Sequence, residues 1–166
     1  MPHLRVALAI DSGKLTASGA DTPTLLVSFN KEREMSEVSR VASGGEISRL
    51  MLCLKAIMAS RMQLPTIIFD EVDTGVSGDI AHRMGALMRD MASSMQVITI
   101  THLPQVAAKG ERQLKVYKTD TPAGTHTRVR PLTGPEREEE IASMLSGEET
   151  SEAARLNARS LLNPTI

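Results

Sequence analysis

The sequence predicts an α/β fold: a mostly parallel sheet flanked by helices, with a late β-hairpin. Two short β-rich runs, residues 66–69 and 96–101, are separated by an amphipathic helical pattern. Strand, helix and strand in this order form a parallel crossover unit, which is right-handed by rule. Two later runs, 114–118 and 125–130, flank Pro122-Ala123-Gly124. Such runs around a turn-forming segment are typical of a β-hairpin.

The first forty residues predict two strands and a connector. Alternation of apolar and polar residues predicts strands at 4–10 and 24–30. Asp11-Ser12-Gly13-Lys14 predicts a turn after the first strand. Residues 31–40 are largely charged, and we expect them to connect the second strand to the first long helix.

Two helices are predicted around the first strand of the crossover unit, because apolar residues recur there at the spacing of one helical face. The first helix, which Pro65 ends, carries Ile47, Leu50, Met51, Leu54, Ile57 and Met58. The second follows a polar loop at 73–78 and carries Ile80, Met84, Leu87, Met88 and Met91. We interpret these methionines as core residues, because methionine fills irregular gaps between helices.

The end of the sequence predicts two more helices. Thr133-Gly134-Pro135-Glu136 has the form of a capping box with proline at the first helical position. The helix that it starts runs to about Leu145, and residues 137–140 predict a solvated face on it. Residues 150–162 predict the last helix.

Composition describes one soluble domain and favours no particular partner. The 166 residues include 19 basic and 20 acidic ones, whereas a protein that grips many phosphates usually carries a basic excess. With 2% aromatic residues, stacking of single-stranded bases is disfavoured. Cys53 is the single cysteine, which excludes a disulfide and fits a reducing compartment. No apolar run reaches the ~18 residues of a membrane span, so we expect a cytoplasmic protein.

Ser43-Gly44-Gly45-Glu46 opens the first long helix. Serine followed three residues later by glutamate is a capping box, so a purely structural role explains both residues. It does not explain Gly44 and Gly45, which weaken a helix by up to ~1 kcal/mol each relative to alanine. Glycine suits a backbone that must approach a ligand closely, and a helix amino terminus attracts anions. Both a structural cap and an anion site therefore remain open.

Asp70-Glu71 ends the first strand of the crossover unit, and His102 follows the second. Ligands of open parallel sheets bind beyond the carboxyl ends of the strands. One carboxylate there can hold Mg²⁺ and the other can activate a water, since neighbours on an extended strand point in opposite directions. If the two strands are neighbours, His102 lies near both carboxylates. The alternative is a solvated strand end and an ordinary loop histidine, which is how we interpret His3, His82 and His126.

Four segments in this order resemble the motifs of ABC-type ATPases. Residues 41–49 resemble the signature motif, 66–71 the Walker B strand, 72–78 the D-loop region, and 98–102 the switch-histidine strand. The amino-acid sequences of these motifs most resemble those of the RecN family of SMC-like DNA repair ATPases. Its patterns Ala-Ser-Gly-Gly-Glu-x-Ser-Arg, Phe-Asp-Glu-Val-Asp-Thr-Gly and Thr-His-Leu-Pro-Gln-Val-Ala occur at residues 42–49, 69–75 and 101–107.

This resemblance implies the carboxy-terminal half of a split ABC-type head, as a lobe of a P-loop NTPase fold. No Gly-x-x-x-x-Gly-Lys-Ser/Thr loop occurs in the sequence, so we expect an amino-terminal half with the P-loop, beyond a coiled coil, in a longer protein. The single domain 1–166 then comprises strands and connector leaving the coiled coil (1–40), the motif core (41–110), and a hairpin with terminal helices (111–166). The implied partners are that half, a second head in an ATP-sandwiched homodimer, and DNA, but no membrane.

The resemblance also implies a role for each motif residue. Asp70 binds Mg²⁺, Glu71 is the general base for hydrolysis of ATP, and His102 senses the γ-phosphate. Ser43, Gly44, Gly45 and Glu46 form the signature loop that contacts ATP on the second head. Asp73 lies at the dimer seam, and Arg49 supports the signature loop.

The implied function is ATP-driven head dimerisation in DNA double-strand break repair and recombination, with hydrolysis releasing the dimer. We expect the chain by itself to be inactive. Two alternatives remain open: the head of another SMC-like ATPase in chromosome organisation, and a non-enzymatic dimerisation module.

Overall fold

The computed structural model describes residues 3–31, 34–41, 44–122, 124–147 and 149–163. The chain divides into two compact units, residues 1–54 and 55–166, and each is described by itself. Within the described residues, no helix combines the length and apolar character that a membrane crossing requires.

The amino-terminal unit contains a three-stranded antiparallel sheet. Strands β1 (Arg5–Thr16), β2 (Gly19–Ser28) and β3 (Ser36–Glu37) pair in that order. The short helix α1 (Val38–Val41) and the start of α2 (Gly44–Met62) follow. The predicted 31–40 connector therefore contains structure, because β3 pairs with Leu26 and Val27 of β2.

The turn predicted at 11–14 is wrong. These residues lie within β1, and the chain reverses between Thr16 and Gly19, where the Thr16 hydroxyl donates to the Gly19 carbonyl at 2.6 Å. Gly19 has a φ of 112°, which glycine tolerates and other residues rarely adopt. The pairing register of β1 with β2 shifts between Ser12 and Thr16, so the strand is irregular around Gly13 but continues past it. An isolated glycine inside a strand often marks such an irregularity.

The carboxy-terminal unit contains the predicted crossover unit. Strands β4 (Thr66–Asp70) and β5 (Gln96–Ile100) are parallel neighbours, connected through helix α3 (Gly78–Met91). A short helix that the sequence pattern missed, α4 (Pro104–Ala107), follows β5. The α/β class is confirmed. Among the described strands, β4 and β5 form a parallel sheet, and the other strands pair antiparallel in separate sheets.

The β4–β5 pair has one buried and one exposed face. Phe69 is completely buried, and Thr99, its partner across the pair, contacts Met88 of α3 with a hydroxyl-to-sulfur distance of 3.6 Å. On the opposite face, Ile68, Ile98 and Ile100 are 60%, 42% and 52% exposed. The α3 core positions predicted at Met84, Met88 and Met91 are buried, whereas Ile80 is 41% exposed.

The hairpin and the two terminal helices are confirmed. Strands β6 (Leu114–Thr121) and β7 (Gly124–Pro131) pair antiparallel, and helices α5 (Gly134–Ser146) and α6 (Glu152–Leu162) follow. The capping box of Thr133 and Glu136 is formed, with Pro135 at the second rather than the first helical position. The core between these helices is small, consisting of Ala108, Ile141, Ala142, Ala154 and Ala158.

The solvated face predicted on α5 is wrong. Arg137 donates to the carbonyls of Gly110 and Glu111 at 2.6 and 3.2 Å. The three glutamates of this face, and Glu136 just before it, each form an ion pair with a cation from another element: Arg159–Glu138, Arg155–Glu139, Lys115–Glu140 and Arg130–Glu136. Helix α5 therefore connects the hairpin on one side to α6 on the other.

Candidate functional site

The carboxyl ends of β4 and β5 bring three predicted site residues to one edge of the sheet. Asp70 is the last residue of β4 and pairs with Ile100. The backbone N–H of Glu71 donates to the Ile100 carbonyl at 3.1 Å, so the ladder continues one residue further. His102 lies two residues beyond Ile100, and the side chains of Asp70, Glu71 and His102 are all exposed. The adjacency expected from the sequence is therefore present.

Glu71 has an unusual backbone. Its φ is 46°, in the left-handed region that non-glycine residues seldom occupy. The Glu71 carbonyl accepts two bonds from Thr74, at 3.3 Å from the backbone N–H and 2.8 Å from the hydroxyl. The expectation that Asp70 and Glu71 diverge as neighbours on an extended strand therefore does not apply. Strained backbone of this kind is often found at functional sites, held in place by surrounding bonds.

Asp73 is inside the unit. Asp73 is 1% exposed. Its Oδ2 accepts a hydrogen bond from the hydroxyl of Thr101, which lies 28 residues further along the chain. Its Oδ1 has no hydrogen-bond partner among the described residues. The position at a dimer seam that the resemblance implies for Asp73 stays a prediction; within this chain the side chain is enclosed and bonded inside its own unit. Sequence reasoning missed Thr101, because nothing local to either residue indicates this bond.

The segment that carries His102 is fixed on both sides. The Thr101 hydroxyl accepts a bond from the Leu103 N–H at 3.0 Å. Pro104 and Val106 of α4 are buried. A Cβ at Gly85 of α3 would lie 3.1 Å from the Gln105 carbonyl oxygen and 3.2 Å from the Val106 Cα. Glycine at 85 therefore permits the close approach of α3 and α4, a second feature that the motif analysis missed.

The signature segment belongs to the other unit. Ser43 lies outside the described residues, and α2 begins at Gly44. Gly44 is exposed, and a Cβ there would meet nothing within 4 Å among the described residues. Glu46 is half-buried in the first turn of α2. Packing against the described residues therefore does not require glycine at position 44.

The residues at the sheet edge fit Mg²⁺ held together with a nucleotide. Among the described residues, no group of three or more histidine, cysteine or acidic side chains is arranged to hold a metal ion. Mg²⁺ is usually bound by one or two carboxylates together with waters and substrate phosphates. The exposed carboxylate of Asp70 is a hard oxygen ligand of the kind that this arrangement requires.

The chain is similar in sequence to bacterial DNA repair proteins named RecN. It is 42% identical to RecN of Streptomyces coelicolor over 98% of the chain and 31% of that protein. It is 42% identical to RecN of Bacillus subtilis over 90% of the chain and 26% of that protein. It matches their carboxy-terminal part and spans less than a third of the curated relatives' length. No family model matches the chain.

Solved SMC heads have a similar structure. An Smc head domain with a coiled coil and joint from Pyrococcus yayanosii superposes with a TM-score of 0.67 at 18% identity, covering 84% of this chain and 26% of the other. A chain from work on ATP-driven dimerization of SMC ATPases gives a TM-score of 0.65 at 16% identity, covering 89% and 85%. At these identities the similarity shows the fold alone: that of part of an SMC-type ATPase head.

Proposed function

Because the chain belongs, over the part it spans, to the RecN family of DNA repair proteins, we propose that it is the carboxy-terminal part of a head that hydrolyses ATP in DNA double-strand break repair. The full-length protein performs this activity in the bacterial cytoplasm, at the nucleoid. The activity requires an amino-terminal half that carries the P-loop, since no such loop occurs in this sequence.

The register of β4 and β5 carries the proposal. Parallel pairing of Asp70 with Ile100 puts the Walker B carboxylates and the switch histidine at the same edge of the sheet. Ligands of such sheets bind beyond the carboxyl ends of the strands. The three side chains that phosphate chemistry needs are all exposed there.

Each residue has a distinct task in the proposed reaction. Asp70 holds Mg²⁺, which, when bound with the nucleotide, supplies positive charge that stabilises the transferring phosphoryl group. Glu71 accepts the proton of the attacking water as general base. His102 donates a hydrogen bond to a γ-phosphate oxygen and so responds to the presence of that phosphate.

The signature glycines serve a second nucleotide, bound by a second head. No described residue fills the space next to the Gly44 Cα, so a phosphate can approach the backbone N–H groups at the start of α2. Ser43 and Gly45, its neighbours in sequence, contact the same nucleotide in this proposal, and Glu46 lies in the first turn of α2. ATP sandwiched between two heads then holds a homodimer together, and hydrolysis releases it. DNA is the substrate on which the full-length protein acts.

The exposed face of the parallel pair supports the split-head interpretation. Ile68, Ile98 and Ile100 are at least 42% exposed on one face of the β4–β5 pair, whereas strands of parallel sheets are normally covered on both faces. The proposed amino-terminal half covers this face and completes the sheet.

Glu71→Gln in the full-length protein tests the assignment of the base. Glutamine is nearly isosteric but cannot accept the proton, and loss of a general base typically costs about 10²–10⁴-fold in rate. We expect ATP binding to be retained, single-turnover hydrolysis to fall by that factor, and ATP-bound dimers to accumulate in light scattering. The control is Glu111→Gln, an exposed glutamate that belongs to none of the motifs. Hydrolysis by Glu71→Gln at the rate of the parent protein would show that Glu71 is not the base.

A further inference from the structure

We propose that Asp73 and Thr101 form a tether that positions Glu71 and His102 relative to each other. Neither residue contacts the reacting atoms in this proposal, so both are positioning residues. The inference rests on the proposed ATPase function, since it assigns the tether to the residues that this function uses.

After β5, one hydroxyl group makes the hydrogen bonds that hold the residues on both sides of His102. The Thr101 Oγ1 donates to Asp73 Oδ2 and accepts from the Leu103 N–H at 3.0 Å. The residues immediately before and after His102 are therefore both held by this oxygen. The exposed imidazole projects from a segment whose backbone is fixed.

On the β4 side, the turn after Glu71 is held by the same carboxylate residue. The Asp73 carbonyl accepts from the Val76 N–H at 3.1 Å, and the Glu71 carbonyl accepts both the N–H and the hydroxyl of Thr74. The Glu71 N–H is bonded across to Ile100. This turn keeps Glu71 in its left-handed conformation, and the Asp73 side chain joins the turn to Thr101.

The composition of the tether favours positioning over stabilisation. Burial of a carboxylate carries a large desolvation penalty, and here Oδ1 has no partner among the described residues. A pair of apolar side chains would join the two loops at lower cost, as replacements of buried charged groups have shown. A hydrogen bond to a buried carboxylate is directional, however, and it fixes the relative placement of two loops whose functional side chains are exposed.

The test compares three substitutions in the full-length protein. Thr101→Val removes the hydroxyl with little change of shape, and Thr101→Ser keeps it. Thr99→Val removes a hydroxyl of β5, two residues earlier, that bonds Met88 instead of Asp73. We expect Thr101→Val to lower kcat for ATP at least 10-fold with KM changed less than 2-fold. Thr101→Ser and Thr99→Val should retain kcat within 3-fold. If Thr101→Val is insoluble, Thr101→Ala takes its place.

Hydrogen exchange supplies a readout that does not depend on activity. Thr101→Val should speed exchange in peptides covering both 71–76 and 101–103, whereas Thr99→Val should not. Unchanged exchange in 71–76, or a kcat for Thr101→Val within 2-fold of the parent protein, would overturn the tether. A parent protein that fails to hydrolyse ATP would instead overturn the proposed function, while hydrogen exchange would still decide whether the tether exists.

Discussion

Alanine substitutions at Ile68 and Phe69 separate the two faces of strand β4. The residues are adjacent in sequence but differ completely in environment: Phe69 is 0% exposed and Ile68 is 60% exposed. Both changes lower β-propensity, so that effect is shared. The difference between them therefore measures how well each face is packed.

The expected costs follow from these exposures. Removing a fully buried phenylalanine costs about 3–5 kcal/mol of the free energy of unfolding. Complete burial of an isoleucine side chain is worth about 1.5–3 kcal/mol, and Ile68 is only two-fifths hidden. Its burial therefore contributes about 0.6–1.2 kcal/mol. We predict that Phe69→Ala costs about 2–4 kcal/mol more than Ile68→Ala.

Urea unfolding of this chain, followed by circular dichroism, measures both values from the midpoints and slopes. Equal costs would refute the conclusion that Ile68 is on an uncovered face. In the full-length protein, coverage of this face should raise the cost of Ile68→Ala toward the 2–5 kcal/mol typical of a buried isoleucine. Urea-dependent hydrogen exchange of β4 measures that cost, and a value unchanged from the isolated chain would contradict the split-head interpretation.

Two further predictions concern the carboxy-terminal helices. The pKa of Glu136 is lowered from 4.5 to about 2 by three hydrogen bonds to its carboxylate. The largest effect comes from the Thr133 backbone N–H, followed by the Thr133 hydroxyl and the Arg130 guanidinium. A carboxyl with a lowered pKa stabilises the fold above pH ~4.5, and this contribution is lost as the pH falls toward 2. Glu136→Gln should therefore lose less stability than the parent chain between pH 5 and 2.5, by urea midpoints; an identical acid dependence would contradict this. Ile141→Ala, at 0% exposure, should cost about 2–5 kcal/mol. Leu156→Ala, at 65% exposure, is its control and should cost well under half as much.

Elements with a local sequence signal were predictable. For the β4–α3–β5 unit, the helical spacing of apolar residues between two β-rich runs predicted the order of the elements. The handedness rule for parallel crossovers predicted how they connect. The Thr133–Glu136 box formed as its spacing indicated. Pairing of β4 with β5 then brought Asp70, Glu71 and His102 to one edge, as strand adjacency required.

Features that depend on distant partners were not predictable. The Thr101–Asp73 bond joins residues 28 positions apart, and neither residue has a local pattern that indicates the other. The sequence does not indicate the left-handed backbone of Glu71 either, because glycine and asparagine are the residues that commonly adopt this conformation. Gly13 has the composition of a turn, yet pairing of β1 with β2 carries the strand past it.

The α5 glutamates illustrate the same limit. A run of glutamates on a helix predicts a solvated face when the helix is considered alone. Here their partners come from β6, β7 and α6, elements that only the tertiary fold brings together.

ATP turnover by this chain alone, compared with the full-length protein, tests the central claim most directly. The claim is that the chain contributes the catalytic carboxylates and the signature loop to a site whose phosphate cradle is elsewhere. A cradle for the nucleotide phosphates requires the P-loop sequence, which does not occur in this chain. We predict weak ATP binding and negligible hydrolysis for the chain, and steady turnover for the full-length protein. Measurable hydrolysis by the chain, purified free of other ATPases, would contradict the claim.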